Sequence, residues 1–343
     1  MTLTTLLTPL FVLVAGLAVI LAGAELFTNA VEWTGKRLNL NQGATGSVLA
    51  AVGTAMPETL VPVIALVFGG NVSESREVGV GAILGAPFML STLAFFITGL
   101  AVVIYARKGR RPRDVLASPV VVRRDLGYFI LVYVLVVTAG LIGPGKLRYF
   151  LAVVLVGLYG LYLWRTFTCG ESGAIEDELP PLFFGRVVRS AGSRPALGLV
   201  LVQLAVALGA IVGGAKAFIS GISAVSELVG VPAFVLSVII TPIATELPEK
   251  FNSVIWVSQQ KDTLALGNIT GAMVFQSSVI PAIGMALTPW KLTGLELATA
   301  LIALSSSTAA YIQVRKLGRI SPYTLLAGGL FYLAFVAAVM VLR

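Results

Sequence analysis

Gly53-Thr54-Ala55-Met56-Pro57-Glu58 and Ala244-Thr245-Glu246-Leu247-Pro248-Glu249 stand inside two long apolar segments of a 343-residue chain, and a single register of 191 residues superimposes them. The same register aligns Gly23 with Gly214, Ala24 with Ala215, Phe27 with Phe218, Thr54 with Thr245, Pro57 with Pro248 and Glu58 with Glu249. An ionisable side chain at bilayer depth is costly and marks a functional position by default. A proline-interrupted apolar helix in corresponding positions of two halves points to a transporter's binding site.

Composition supplies the membrane. With 57% hydrophobic residues, 12% charged and a mean hydropathy of +0.95, a soluble chain of this length lacks the polar groups to cover its surface. Ten apolar spans are long enough to cross, roughly 7–35, 43–69, 77–104, 127–143, 147–168, 198–229, 233–257, 263–287, 292–313 and 321–342. No basic stretch precedes the first, so it is expected to be a retained span and not a cleaved signal. The single Cys169 excludes an internal disulfide, and the lack of histidine removes the commonest catalytic base and metal ligand. Any site must draw on oxygen atoms and lysines.

Charge placement orients the chain. Loops on one side carry 17 basic residues, among them Arg107, Lys108, Arg110, Arg111 and Arg113, and loops on the other side carry five. The positive-inside rule makes the first side cytoplasmic and leaves both termini outside. The net charge of +8 is then mostly a topology signal, and the basic run reads as a lipid-headgroup contact, with no nucleic-acid partner. Trp164 and Trp290 fit interfacial belts, and Glu32, Glu227 and Glu296 fall near span ends. A prokaryotic plasma membrane is the expected location.

Five spans precede a polar stretch with Glu171, Glu176, Asp177, Glu178, Pro180 and Pro181. A second copy that starts after five crossings enters from the opposite face, so the two copies are expected to be inverted repeats. The division is 1–168 for the first five-helix repeat, 169–196 for a cytoplasmic linker and 197–343 for the second. The fold class expected is an all-α polytopic membrane protein with proline-broken helices at the midplane. Downstream, Gly81-Ala82-Ile83-Leu84-Gly85-Ala86 matches Gly267-Asn268-Ile269-Thr270-Gly271-Ala272 at a register of 186.

Pro57 crowds the carbonyl of Gly53, Pro248 that of Ala244 and Pro242 that of Val238. Freed carbonyls at that depth must face protein or a water-filled cavity. A carbonyl beside a threonine hydroxyl and a glutamate carboxylate is an all-oxygen set suited to a hard cation. Prolines also merely kink membrane helices, and glutamates pair with lysines, but two Pro-Glu pairs in register favour a cation site.

These residues resemble the cation/Ca²⁺ exchanger superfamily, which includes Na⁺/Ca²⁺ and H⁺/Ca²⁺ antiporters. The carriers are Gly23-Ala24-Glu25-Leu26, the two Pro-Glu motifs and Gly267-Asn268-Ile269-Thr270-Gly271-Ala272. The resemblance implies ten spans in a twice-five layout with termini outside, no enzymatic activity and no cofactor. It implies Glu58 and Glu249 as central Ca²⁺ ligands, with Thr54 and Thr245 assisting through backbone or hydroxyl oxygens. Gly53, Ala244, Glu246, Asn268 and Gln276 are additional ion-site candidates. The chain departs from the family where serine or asparagine is usual, with Ala55, Ala82, Ala86 and Leu90 in the first copy and Glu246, Ala272 and Met273 in the second. In the family those polar groups chiefly complete Na⁺ sites.

Several charges keep two readings. Glu246 and Lys250, four apart on one helix, either neutralise each other or leave Glu246 as a ligand. Glu25 and Lys216 occupy equivalent positions, and either pair across the symmetry axis or leave Lys216 as a tethered cation near the site. No phosphate-binding Gly-x-x-x-x-Gly-Lys-Ser/Thr loop occurs, so transport must run on an ion gradient. The expected function is a secondary cation antiporter exchanging Ca²⁺ against H⁺ or Na⁺ by alternating access. Two alternatives stand beside it, an H⁺-coupled exchanger of another divalent metal and a transport-inactive sensor or scaffold. A two-carboxylate intramembrane enzyme lacks a nucleophile or histidine nearby.

Overall fold

The computed structural model describes residues 3–37, 55–68, 72–169, 180–187 and 195–341. Their regular structure is helical throughout: α1 (Leu3–Arg37), α2 (Met56–Phe68), α3 (Val72–Met89), a π-helical turn (Leu90–Ala94), α4 (Phe95–Arg107), α5 (Pro119–Ile142), α6 (Lys146–Cys169), α7 (Phe183–Val187), α8 (Leu197–Val229), α9 (Ala233–Ser258), α10 (Asp262–Leu287), α11 (Gly294–Leu317) and α12 (Pro322–Val341). Among the described residues eight helical segments are long and apolar enough to cross a membrane, with α3, the π turn and α4 forming one of them from Ser73 to Arg107. Pro57–Phe68 and Ala233–Glu246 are shorter apolar helices. They fall within the second and seventh expected spans; residues 43–54 of the second lie outside the described residues, and the helix of the seventh runs on to Ser258.

Packing sorts the chain into two compact units that each draw on both halves of the sequence. One comprises Met1–Ser75 with Arg165–Gly230, the other Arg76–Trp164 with Val231–Arg343. These are groupings by contact, whereas the repeats expected from the sequence are a matter of internal likeness.

In the first unit α1 and α8 cross antiparallel at glycines. A Cβ at Gly23 would lie 2.8 Å from Ile211 Cγ1 and 3.1 Å from both Ala207 O and Ile211 N. A Cβ at Gly214 would lie 2.8 Å from Gly16 O, 2.9 Å from Ile20 N and 3.1 Å from Ile20 Cγ1. A shift of 191 residues turns the first set of contacts into the second, so the crossing is its own image under the sequence register. With lipid on the outside there is little hydrophobic drive between such helices, and small residues let dispersion hold them at close range. At one end of the pair Gln203, fully buried, donates to Leu26 O and Asn29 Oδ1 and accepts from the Phe184 amide, while Trp33 Nε1 donates to Pro180 O. Residues 180–187 of the expected linker, with the short helix α7, therefore pack against this end of the pair.

In the second unit the Gly81/Gly85 motif does the same work for α3 and α9. A Cβ at Gly81 would sit 2.8 Å from Phe234 O, and one at Gly85 2.7 Å from Val238 O. Ser237 Oγ, in the same contact, donates to Val78 O at 2.7 Å. Pro242 and Pro248 leave the helical assignment of α9 unbroken from Ala233 to Ser258. A proline deletes one hydrogen bond and crowds one carbonyl, which bends a helix without ending it when tertiary packing holds both sides. The irregularity among the described spans lies elsewhere, in the π turn, where Ser306 Oγ of α11 donates to Ser91 O at 2.6 Å.

Two expectations about span ends change. Arg111, read from sequence as part of a headgroup-binding run, is buried with its guanidinium bidentate to Asp262 at the start of α10, and it also donates to Val257 O and Asp114 O. The pair ties the loop after α4 to the turn between α9 and α10. Trp290 is 1% exposed and not interfacial, its Nε1 donating to Val136 O, whereas Trp164 is 63% exposed as a belt residue should be. Glu296 closes a capping box with Thr293 at the start of α11.

Candidate functional site

Pro57 stands at the second position of α2, where a missing N–H is no loss because the first turn of a helix has no partner for it. Glu58 follows in that first turn and is 7% exposed. The carbonyl of Ala55 receives both the amide and the hydroxyl of Thr59, at 3.1 and 2.7 Å, which fixes the start of the helix. A carboxylate at a helix N-terminus gains from the aligned peptide dipoles, by about 0.3–2 kcal/mol. Gly53 and Thr54 lie outside the described residues.

In the second unit α9 carries a buried hydroxyl ladder at helical spacing. Ser237 Oγ and Thr241 Oγ1 are 3.1 Å apart, and Thr245 Oγ1 donates to Thr241 O at 3.0 Å. Such back-bonding to the preceding turn competes with the backbone ladder and eases bending near Pro242. Thr245 and Glu246 are 3% and 0% exposed, and Lys250, one turn on, is 4% exposed. The backbone of Glu249 is helical, and its side chain lies outside the described residues, as do those of Leu247 and Pro248. Ala244 is half-buried in the same helix.

On α10, Asn268 is half-buried and Gln276 is buried. Gln276 Oε1 has no hydrogen-bond partner among the described residues, which is uncommon for a buried amide oxygen and leaves an acceptor for water or a cation. Glu25 and Lys216 are both exposed, and Lys216 Nζ lies 5.4 Å from the centre of the Phe68 ring. Lys216 is level with Gly16 in the α1–α8 crossing and Glu25 lies beyond Gly23, about two turns away, so this register does not bring them together. Among the described residues no group of three or more His, Cys, Asp or Glu side chains converges as a metal cluster.

Two polar centres escaped the sequence reading. One is the Arg111–Asp262 pair, whose only trace in sequence is an aspartate at a helix start. The other surrounds Asp125, 1% exposed on α5, whose carboxylate accepts from Tyr162 of α6 and Thr270 of α10. Asp125 stands just before the expected span 127–143 and directly after Arg123 and Arg124, so it carries no mark of burial in the sequence.

Comparison with known proteins places the chain. The sequence profile described as "Sodium/calcium exchanger protein" matches residues 8–168 and 199–342. Inner membrane protein YrbG of Escherichia coli K12 is 26% identical over 288 residues, covering 82% of this chain and 80% of its own. An uncharacterized membrane protein of Methanocaldococcus jannaschii is 23% identical over 96% of both chains. Among solved structures, the H⁺/Ca²⁺ exchanger CAX superposes with a TM-score of 0.72 at 19% identity, over 96% of this chain and 82% of that one. The sodium–calcium exchanger NCX_Mj does so with a TM-score of 0.55 at 18% identity, over 97% and 99%. The α-helical architecture is that of these exchangers, and the chain is a multi-pass integral membrane protein belonging to the sodium/calcium exchanger family.

Proposed function

We propose that the protein is a secondary-active cation antiporter that exchanges Ca²⁺ by alternating access between two inverted five-helix repeats of ten spans. Glu58 and Glu249 are its central ligands, with Thr54 and Thr245 and the carbonyls of Gly53 and Ala244 completing an oxygen shell, and Asn268 and Gln276 adding polar groups. The observation that carries this reading is a glutamate buried at the proline-started end of an apolar helix, Glu58, in sequence register with a second Pro-Glu pair. Ca²⁺ takes six to eight oxygen ligands, so two carboxylates need such neighbours. The self-mirrored α1–α8 crossing supports the inverted repeats, because a two-fold axis between copies pairs each residue with the equivalent of its own partner.

The counter-ion in this reading is H⁺. Ala82, Ala86 and Leu90 form a buried apolar row at helical spacing along α3 and into the π turn, where the family usually places oxygen ligands that complete Na⁺ sites. Two carboxylates sharing one small dehydrated site resist simultaneous ionisation, so the empty site holds at least one proton, released when a divalent ion enters. Calcium uptake into proteoliposomes under an imposed pH gradient without Na⁺, compared with a Na⁺ gradient at matched pH and clamped voltage, tests both levels. Uptake under the pH gradient is expected. Strict Na⁺ dependence contradicts the proton reading, and no uptake under either gradient contradicts Ca²⁺ antiport; replacing Ca²⁺ by Mg²⁺ or Mn²⁺ then tests another divalent cargo.

A further inference from the structure

Asp125 is a buried acid in a membrane span that no step of the exchange reading uses. Its Oδ1 accepts from Arg124 Nε at 3.0 Å and from Tyr162 Oη at 3.2 Å, with Arg124 Nη2 a further 2.9 Å contact, and its Oδ2 accepts from Thr270 Oγ1 at 2.8 Å. Arg124 and Asp125 are adjacent on α5, and an ion pair serving only to anchor the helix at the headgroups would not reach into two other helices. This one does, since Tyr162 belongs to α6 and Thr270 to α10. Asp125 is 1% exposed and the Arg124 side chain 23%, so the carboxylate is inside and its counter-charge faces outward.

The small residues of α10 bring it against this centre. A Cβ at Gly271 would lie 3.5 Å from Tyr162 Oη, and one at Gly267 would lie 3.8 Å from Val121 Cγ1. The face of α10 carrying Gly267, Thr270 and Gly271 therefore packs on α5 and α6. At about 100° per residue, Gln276 and Ala272 project from the opposite face, with Asn268 at its flank. Gln276, on the face of α10 away from Asp125, and Asn268 at its flank are the residues at which the exchange reading places extra ion-site oxygens.

We propose that Asp125 is a positioning residue for cation exchange, holding α10 from behind through Thr270 and Tyr162 so that Asn268 and Gln276 keep the placement the ion requires. The inference rests on the exchange reading of those residues. A carboxylate accepting from two helices at once is a stiffer tie than packing alone, because the hydrogen bonds are directional and charge-assisted in a low-dielectric setting. Ion sites lose affinity when such supporting contacts are removed, even with every ligand in place.

The test is Ca²⁺ uptake by reconstituted wild type, Asp125→Asn, Thr270→Val, Tyr162→Phe and the double variant Asp125→Asn/Thr270→Val, with thermal unfolding measured on the same preparations. Asp125→Asn should raise KM for Ca²⁺ about tenfold, the weight of one charge-assisted hydrogen bond. Thr270→Val and Tyr162→Phe should each raise it less, and the double variant should be no worse than Asp125→Asn, because the two changes remove the same tie. Should Asp125→Asn fail to fold, the two single variants carry the test, since each removes one donor to the carboxylate and leaves it paired with Arg124. Variants that unfold earlier but keep the wild-type KM overturn the inference in favour of a purely structural role, as do variants that match wild type throughout. An active wild type with unchanged variants overturns this inference alone, whereas an inactive wild type overturns the exchange reading and takes the inference with it.

Discussion

Glu246 and Lys250, 0% and 4% exposed, lie one turn apart on α9 in the order that favours an i,i+4 pair. A buried ammonium beside a neutralised partner is strongly unfavourable, by about 3–5 kcal/mol in measured buried pairs. Glu246→Gln is therefore expected to lower thermal stability markedly, and adding Lys250→Met should restore most of the loss, as read by unfolding of the purified protein. Loss of Ca²⁺ transport at unchanged stability would instead make Glu246 an ion ligand. At this scale the sequence was a partial guide. Glu58 could be singled out because a repeated Pro-Glu in apolar surroundings is improbable without a function, and the structure finds it buried. Asp125 was passed over because its partners, Tyr162 and Thr270, are 37 and 145 residues away. Arg111 was misread because a buried arginine in a run of exposed ones carries no local mark.

Among the elements, the α1–α8 crossing depends on backbone approach. At Gly214 a Cβ would meet Gly16 O and Ile20 N at 2.8 and 2.9 Å, both backbone atoms that cannot rotate aside. Gly214→Ala should destabilise by about 1–3 kcal/mol, the usual cost of overpacking. Its neighbour Gly213 has nothing within 4 Å of a Cβ, so Gly213→Ala should be neutral or gain up to about 1 kcal/mol from helix propensity. Equal effects at the two positions, measured by thermal unfolding in the same detergent, would contradict the close crossing. Eight of the ten expected spans appear as long apolar helices, because a hydropathy window reads length and composition directly. What it cannot read is how a chain responds to proline. Pro57 lies at a helix start, whereas Pro242 and Pro248 sit within a continuous helix. The π turn at Leu90–Ala94 is likewise invisible to a periodicity of 3.6, since one extra residue in a largely apolar segment shifts no visible pattern.

For the whole molecule, we propose that both termini lie outside, an orientation argued from the 17-to-5 asymmetry of basic residues across the expected loops. Cys169, the last residue of α6 and the only thiol, should then lie at the cytoplasmic face. A membrane-impermeant maleimide should label it in inverted vesicles and spare it in intact cells, and labelling from outside would reverse the orientation. The likeness of the two halves was legible because the register of 191 residues keeps glycines, prolines and glutamates aligned from Gly23 to Glu58, and the crossing of α1 with α8 respects that register at Gly23 and Gly214. The grouping of α1, α2 and α8 apart from the remaining spans was not legible, since contact units that mix two halves of a chain leave no boundary in composition.

Glu58→Gln keeps the shape of the side chain and one carbonyl oxygen, and it removes the charge that offsets dehydration of a doubly charged ion; Glu249→Gln does the same in the other copy. Gradient-driven Ca²⁺ uptake by proteoliposomes holding equal amounts of folded wild type, Glu58→Gln or Glu249→Gln is the most direct measurement of whether these glutamates form a cation site. Uptake by wild type and none by either variant is the predicted result, and near-normal uptake by both variants would contradict it.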